Sequence, residues 1–318
     1  MRPTLPLELI YLCIEASSDS FAALGQLSLV SKECASEARK YIFKHIVLDR
    51  RERAVDLGSQ YIRTFLELLT ANKTLATYIH ILFIKIEPST YAATEVYAQT
   101  LPAILDLLTD LTIFQMDGLC PDYSDWNALP ERLRSSITRR CSAPSITMLH
   151  FSNLKNLPHA PLRSAPGLLK ISLVRVRSPQ GAAENGSTGP GGSAAANLEC
   201  FSVVDAGWVA GSYILADPGA LSSLRRMSWY ISDQRDLDLL KRVLQKCGGS
   251  LEELHIGFHH DHSNDGLHIG ELVSLPQLRL LTFNSDTCLD LDADAGASSS
   301  LGSHLRLFLG HSANAAPT

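Results

Sequence analysis

The densest group of side chains able to do chemistry lies in "GFHHDHSNDGLHIG", where His259, His260, Asp261, His262, Asp265 and His268 crowd together. Imidazoles and carboxylates at this density could hold a zinc ion. No HExxH pattern or cysteine pair accompanies them, and they follow directly on a strand-like phrase, so the sequence predicts a solvated loop. Asp290, Asp292 and Asp294 in "LDLDADAG" alternate like the first ligands of a calcium loop. The glutamate that such a loop needs at its twelfth position falls on Leu301, and an acidic loop is the expectation. No GxSxG, GxxxxGK[ST] or strand-to-helix GxGxxG is present, and the "GPGG" of the chain sits in a Gly/Ser-rich stretch with no strand before it. Neither catalysis nor a cofactor nor a bound metal is expected. Seven cysteines, at 13, 34, 120, 141, 200, 247 and 288, form no CxxC and no metal-ligand spacing, which predicts reduced, mostly buried thiols in a reducing compartment.

Charge narrows the partners further. Lys and Arg number 28 against 33 Asp and Glu, a net charge of −5, and no cationic run offers a phosphate-tracking surface, so no nucleic acid is expected. Pro3, Pro6 and Glu8 break up what would be the apolar core of a signal peptide. No apolar run approaches the roughly 18 residues of a membrane helix. The expectation is an intracellular protein, of cytoplasm and/or nucleus, that engages no membrane.

The elements that would position any site follow from periodicity. Pro6 suits a helix start, with Leu7, Ile10, Cys13 and Ile14 behind it at helical spacing. Asp19 or Ser20 can cap a second helix carrying Phe21, Leu24, Leu27 and Val30, and Ser31 opens a third with Cys34, Ala35, Ala38, Tyr41 and Ile42 on one stripe. A short strand-like exit, "KHIVL", follows. The apolar stripes of these three helices are too wide for one another alone, and so short a unit rarely folds without a partner.

Downstream one phrase recurs: apolar, two residues, apolar, one residue, apolar. It reads Ile79-Leu82-Ile84, Leu108-Leu111-Ile113, Ile146-Leu149-Phe151, Leu168-Ile171-Leu173, Leu198-Phe201-Val203, Leu224-Met227-Trp229, Leu251-Leu254-Ile256 and Leu278-Leu281-Phe283. Amphipathic helical stretches such as "RTFLELLTANKTLATY" and "DLDLLKRVLQKCGGS" lie between copies. Strand and helix in alternation, at leucine-rich-repeat periods, predict parallel strands centred on the eight middle anchors in an irregular α/β solenoid. The expected organisation is a helical domain over 1–50, a leucine-rich-repeat-like solenoid over 51–310 and a tail over 311–318. The Gly/Ser/Ala-rich stretch 178–197 reads as a flexible insertion within the solenoid. "HLRLFLG" begins like one more unit and then stops. Trp208 and Trp229 stand at or just beyond expected strands. Trp229 reads as core, and Tyr230, alternating to the other face, as a candidate substrate-binding residue.

The N-terminal stretch "LPLELIYLCIEA…LGQLSLVSKECASEARKYIFKHIVL" resembles the F-box: a Leu-Pro start, an acidic-aliphatic first helix, an "LSLVSK" turn and a basic-aromatic third helix. The whole chain is similar to F-box proteins with degenerate leucine-rich repeats of the kind abundant in mushroom-forming fungi, although the Asn of such a repeat is missing after the third anchor of every copy. That resemblance implies a substrate receptor of a Skp–cullin–F-box ubiquitin ligase, not itself an enzyme, that joins a Skp-family adaptor, and through it a cullin, to an unknown protein substrate. Carried over by motif position, the adaptor contacts would be Leu5, Pro6, Leu9, Ile10, Leu27, Val30, Ser31 and Cys34. The family usually has an aromatic residue where this chain has Cys34, and loss of a ring removes roughly 1–3 kcal/mol of burial. The alternative is a non-catalytic repeat scaffold for protein–protein interaction whose N-terminal helices only cap the solenoid.

Overall fold

A computed structural model of the chain describes residues 6–49, 55–86, 96–119, 123–163, 165–177, 197–207, 209–210, 221–258, 275–284 and 304–308. The chain divides into two compact units, Met1–Thr147 and Met148–Thr318. Both are built of parallel strands, alternating with helices where the connections are described. The predicted insertion over 178–197, apart from Asn197, the histidine-rich and aspartate-rich loops, and Trp208 lie outside the described residues.

In the first unit three short helices, α1 (Leu7–Ala16), α2 (Phe21–Ser28) and α3 (Lys32–Ile42), precede β1 (His45–Leu48). Of the two candidate caps for α2 it is Ser20 whose side chain accepts the Ala23 N–H, at 3.3 Å. Helices α4 (Val55–Ala71) and α5 (Lys73–Tyr78) lead to β2 (Ile81–Ile86). A π-helical segment, Val96–Thr100, runs into α6 (Leu101–Leu107), ahead of β3 (Ile113–Gly118). A two-residue β4 (Ser124–Asp125) and α7 (Glu131–Cys141) complete the unit. Strands β1, β2 and β3 pair in parallel in that order.

The second unit carries β5 (Met148–Lys155), a one-turn α8 (Ala160–Arg163), β6 (Lys170–Arg177), β7 (Cys200–Val204), β8 (Arg226–Ile231), α9 (Gln234–Cys247), β9 (Glu253–Phe258) and β10 (Leu280–Asn284). These six strands pair in parallel in chain order. The segment that opens like a further repeat forms β11 (His304–Phe308) and adds to β10 antiparallel.

Seven of the eight middle anchors lie on strands as expected, and one needs correcting. Leu111 precedes its strand; Leu82 pairs with Phe114, so the second copy reads Leu111-Phe114-Met116 and not Leu108-Leu111-Ile113. Leu108 and Leu111 are both buried, and the same spacing pattern fits the sequence twice, three residues apart. The hydrogen bonds that Thr112 and Ile113 donate to the His80 carbonyl, at 2.8 and 3.0 Å, decide which fit is real. The correction turns separations of 29 and 38 residues between middle anchors into 32 and 35. It also exposes a copy the sequence hid, because Ile46 pairs with Leu82 and Leu48 with Ile84.

What repeats from unit to unit is a backbone device. The carbonyl just before one strand accepts two successive N–H groups at the start of the next, one from the residue before the strand and one from its first residue: Lys44 from His80 and Ile81, Glu199 from Arg225 and Arg226, Arg225 from Glu252 and Glu253. At the place of the missing Asn the core instead takes Leu119, Leu154, Val176 and Ala206, all buried. Three of these follow a left-handed residue, Asn153, Arg175 or Asp205, with φ of 53°, 50° and 47°. One residue in that conformation breaks the strand's two-residue alternation and returns the next side chain to the core. Hydroxyls serve the carbonyls between repeats: Ser223 donates to Leu198 at 3.2 Å and Ser250 to Leu224 at 2.9 Å.

Burial on the helix side explains the thiols. Cys34, Cys141 and Cys247 are buried, and desolvation holds the Cys141 thiol far above its ordinary pKa and pushes Cys247 up to about 12. At the start of α9 Asp233 caps the helix through the Asp236 N–H at 2.8 Å, and Asp236 accepts from the Ser232 N–H at 3.1 Å and from its hydroxyl. Burial, with like charge on Asp233 and Asp205, outweighs those hydrogen bonds and raises the Asp236 pKa. A carboxyl whose folded pKa is raised contributes stability at acid pH that is lost as pH rises through the folded pKa. Asp236→Asn keeps an acceptor for Ser232 and removes that titration. Its melting temperature relative to the native chain should rise from pH 4 towards pH 7; a flat difference would show that Asp236 does not titrate in this window.

Candidate binding surfaces

Two surfaces, one in each unit, are candidates for binding. The first is the three-helix piece. Its interior is small: Ile14, Leu24, Cys34 and Ala38 form the core, with Ile10, Tyr11, Leu27, Tyr41 and Ile42 packed against it. Eight- to eleven-residue helices cannot enclose all their apolar side chains. Phe21 stays 73% exposed, Leu29 80% and Val30 69%, while Leu7, Leu9 and Leu12 are also open to solvent. Exposed apolar side chains in such number on so small a piece exceed the scattered singles of an ordinary surface.

Of the residues carried over as adaptor contacts, Pro6, Leu9, Val30 and Ser31 are exposed, Ile10 and Leu27 are half-buried, and Leu5 lies outside the described residues. Ser31 also has an internal task, accepting the Cys34 N–H at 3.1 Å as the cap of α3. Cys34 differs from the rest: it is 1% exposed and belongs to the helix core, so its thiol packs the piece together from within. By sequence the second helix carries Phe21, Leu24, Leu27 and Val30 as its apolar residues, and of these only Leu24 is fully inside. Leu12 and Leu29 were not singled out as contacts, although Leu12 continues the helical spacing of Leu5 and Leu9 and Leu29 stands in the "LSLVSK" turn.

The second surface is the open face of the sheet in the second unit. Along each strand the anchors turn towards the helix side, and the residues between them form rows across the sheet. By register the middle row runs His150, Ser172, Ser202, Ser228, His255, Thr282. One row is Met148, Lys170, Cys200, Arg226, Glu253, Leu280, and on the opposite side Val174 and Val204 are followed by Tyr230, Gly257 and Asn284. Only Tyr230 of these was singled out from sequence, because period-two alternation gives the face of a residue and not its cross-strand neighbours.

Tyr230 lies opposite Trp229 in the strand, as alternation requires, yet it is only 9% exposed. Its ring lies over Gly257, where an added Cβ would come within 2.3 Å of it, and its hydroxyl accepts from Asn284 Nδ2 at 3.1 Å. The strand therefore needs glycine at 257 to let the ring lie down. Gly257→Ala should cost about 1–3 kcal/mol by overpacking, read as a lower urea midpoint, and Gly257→Ala in a Tyr230→Ala background should cost much less.

A cleft of about 700 Å³ in the first unit is lined by Asp106, Glu131, Arg132, Ser135, Ser136 and Arg139, and Arg139 pairs with Asp106 across it. Its two cations and two carboxylates balance, so it has no net call on a charged ligand. Among the described residues no three His, Cys, Asp or Glu side chains gather as metal ligands, and no helix is long and apolar enough to cross a membrane. The sequence matches no protein-family model and no curated protein.

Proposed function

We propose that the chain is the substrate-recognition subunit of a Skp–cullin–F-box ubiquitin ligase, working in the cytoplasm and/or nucleus and catalysing nothing itself. The N-terminal helices dock on a Skp-family adaptor and the repeats hold a protein substrate. The observation that carries this reading is the exposure of Phe21, Leu29, Val30 and Leu9 on a helical piece whose own core is already closed. The F-box resemblance of the same residues supplies the partner. Apolar side chains held at the surface by a folded piece are the usual marks of an interface.

A second reading draws on a different observation. Strand β1 follows α3 after two residues and pairs directly with β2, and α3 packs on α5, so the helices are joined to the first strand and to the repeats and are not a separate piece. On that reading the chain is an interaction scaffold and the helices are its cap. Pull-down of a purified Skp-family adaptor by the full chain separates the two. A stoichiometric complex is expected, and no complex at micromolar concentrations would leave the scaffold.

A further inference from the structure

We propose that the open face of the sheet in the second unit binds an extended acidic peptide segment, with a carboxylate seated between Lys170 and Arg226 above Cys200. The inference rests on the reading of the repeats as the partner-binding part of the chain, and not on adaptor docking.

The register sets Lys170 on β6, Cys200 on β7 and Arg226 on β8 side by side on one face. Two strand spacings, roughly 10 Å, separate the two cations. Both are exposed, and neither has an ion-pair partner among the described residues. The residue between them does not supply the missing charge: burial pushes the Cys200 thiol up, so it stays neutral. Glu253 stands directly opposite Arg226 on β9 and Glu199 precedes β7; both carboxylates act on Cys200 through space, yet neither is ion-paired with Lys170 or Arg226 among the described residues.

The floor next to it is made for hydrogen bonding. Ser172, Ser202 and Ser228 stand abreast on three adjacent strands, and none spends its hydroxyl on a hydrogen bond among the described residues. Ser172 is only 8% exposed, and Ser202 and Ser228 are half-buried. Further along the same row the Thr282 hydroxyl is buried and likewise without a partner. Short side chains on β7 (Cys200, Ser202, Val204) keep the trough open. Its far side is apolar, formed by Val174 and Val204 with Tyr230 beyond. A ligand running across the strands thus meets cations on one edge, hydroxyls beneath and aliphatic surface on the other edge. A peptide alternating acidic and apolar side chains matches that cross-section, and a hydroxyl–carboxylate contact flanked by cations is a strong, charge-assisted one.

The test is fluorescence anisotropy of the full chain with a labelled peptide alternating Glu and Val, against Gln–Val and Lys–Val counterparts. The Glu–Val peptide should bind tightest, and more weakly as salt rises. Lys170→Glu with Arg226→Glu should weaken it by about tenfold or more, and Ser202→Tyr should fill the trough and do the same. Lys246→Glu with Arg242→Glu, the same total charge change on exposed positions of α9, and Lys246→Glu alone should leave it unaltered. Equal affinity for Glu–Val and Gln–Val, or a reversal of Lys170 and Arg226 no more harmful than Lys246→Glu with Arg242→Glu in chains of unchanged circular dichroism, would overturn the acidic assignment. Binding of the Lys–Val peptide alone would overturn it while leaving the repeats as a peptide-binding surface. Adaptor pull-down, scored on the same variants, reports separately on the N-terminal helices.

Discussion

Trp229→Ala is expected to destabilise the second unit by about 3–5 kcal/mol, the range for truncating a large buried aromatic side chain. Trp229 is the third anchor of its repeat and is fully buried. Helix α9 packs on β8, burying Leu237, Leu240, Val243 and Leu244. Alanine would leave a cavity that short strands hydrogen-bonded on both sides cannot close by moving together. Trp229→Phe should cost far less. It keeps most of the ring volume and removes Nε1, a buried donor with no hydrogen-bond partner among the described residues, whose unmade bond costs about 1–3 kcal/mol. Urea unfolding followed by far-ultraviolet circular dichroism reads both variants. If Phe proves as damaging as Ala, Nε1 is bonded and the indole is held by more than its volume.

Val30→Asp should abolish adaptor pull-down while moving the melting temperature little. At 69% exposure the new carboxylate stays hydrated in the free chain, and substitutions at such positions usually change stability by within about 0.5 kcal/mol. In a dry contact the same carboxylate would lose its water without gaining a partner, at a cost of several kcal/mol. Each 1.4 kcal/mol is about a tenfold loss of affinity, so a pull-down would register it as absence. Leu24→Asp is the contrast: Leu24 is in the closed core of the three helices, and that variant should unfold them with or without adaptor. Retained pull-down by Val30→Asp would remove Val30 from the docking surface. Melting of the isolated chain would instead favour the cap.

How far each feature was legible depends on whether it is local. Helix starts were, because Ser20 and Ser31 act on N–H groups three residues away. Strand order and sense were, because one apolar phrase repeated along the chain has little alternative to stacking in parallel. The burial of Trp229 followed from its place in that phrase. The second repeat was misread because Leu108-Leu111-Ile113 and Leu111-Phe114-Met116 satisfy the same spacing, and only the hydrogen bonds of β3 with the neighbouring repeat choose between them. Strand β11 pairs with β10 antiparallel, a sense that its repeat-like opening did not announce, because an apolar spacing carries no strand direction.

The sequence by itself therefore determined a repeating α/β chain with parallel strands and a small helical start, since these depend on spacings of a few residues. Only the tertiary structure decided which apolar side chains remain outside, as with Phe21 against Leu24, because exposure depends on what neighbouring helices can cover. It alone placed Lys170, Cys200 and Arg226 abreast, and laid Tyr230 over Gly257. Residues some thirty positions apart become neighbours through strand register, and register is a property of the paired backbone that no single repeat carries.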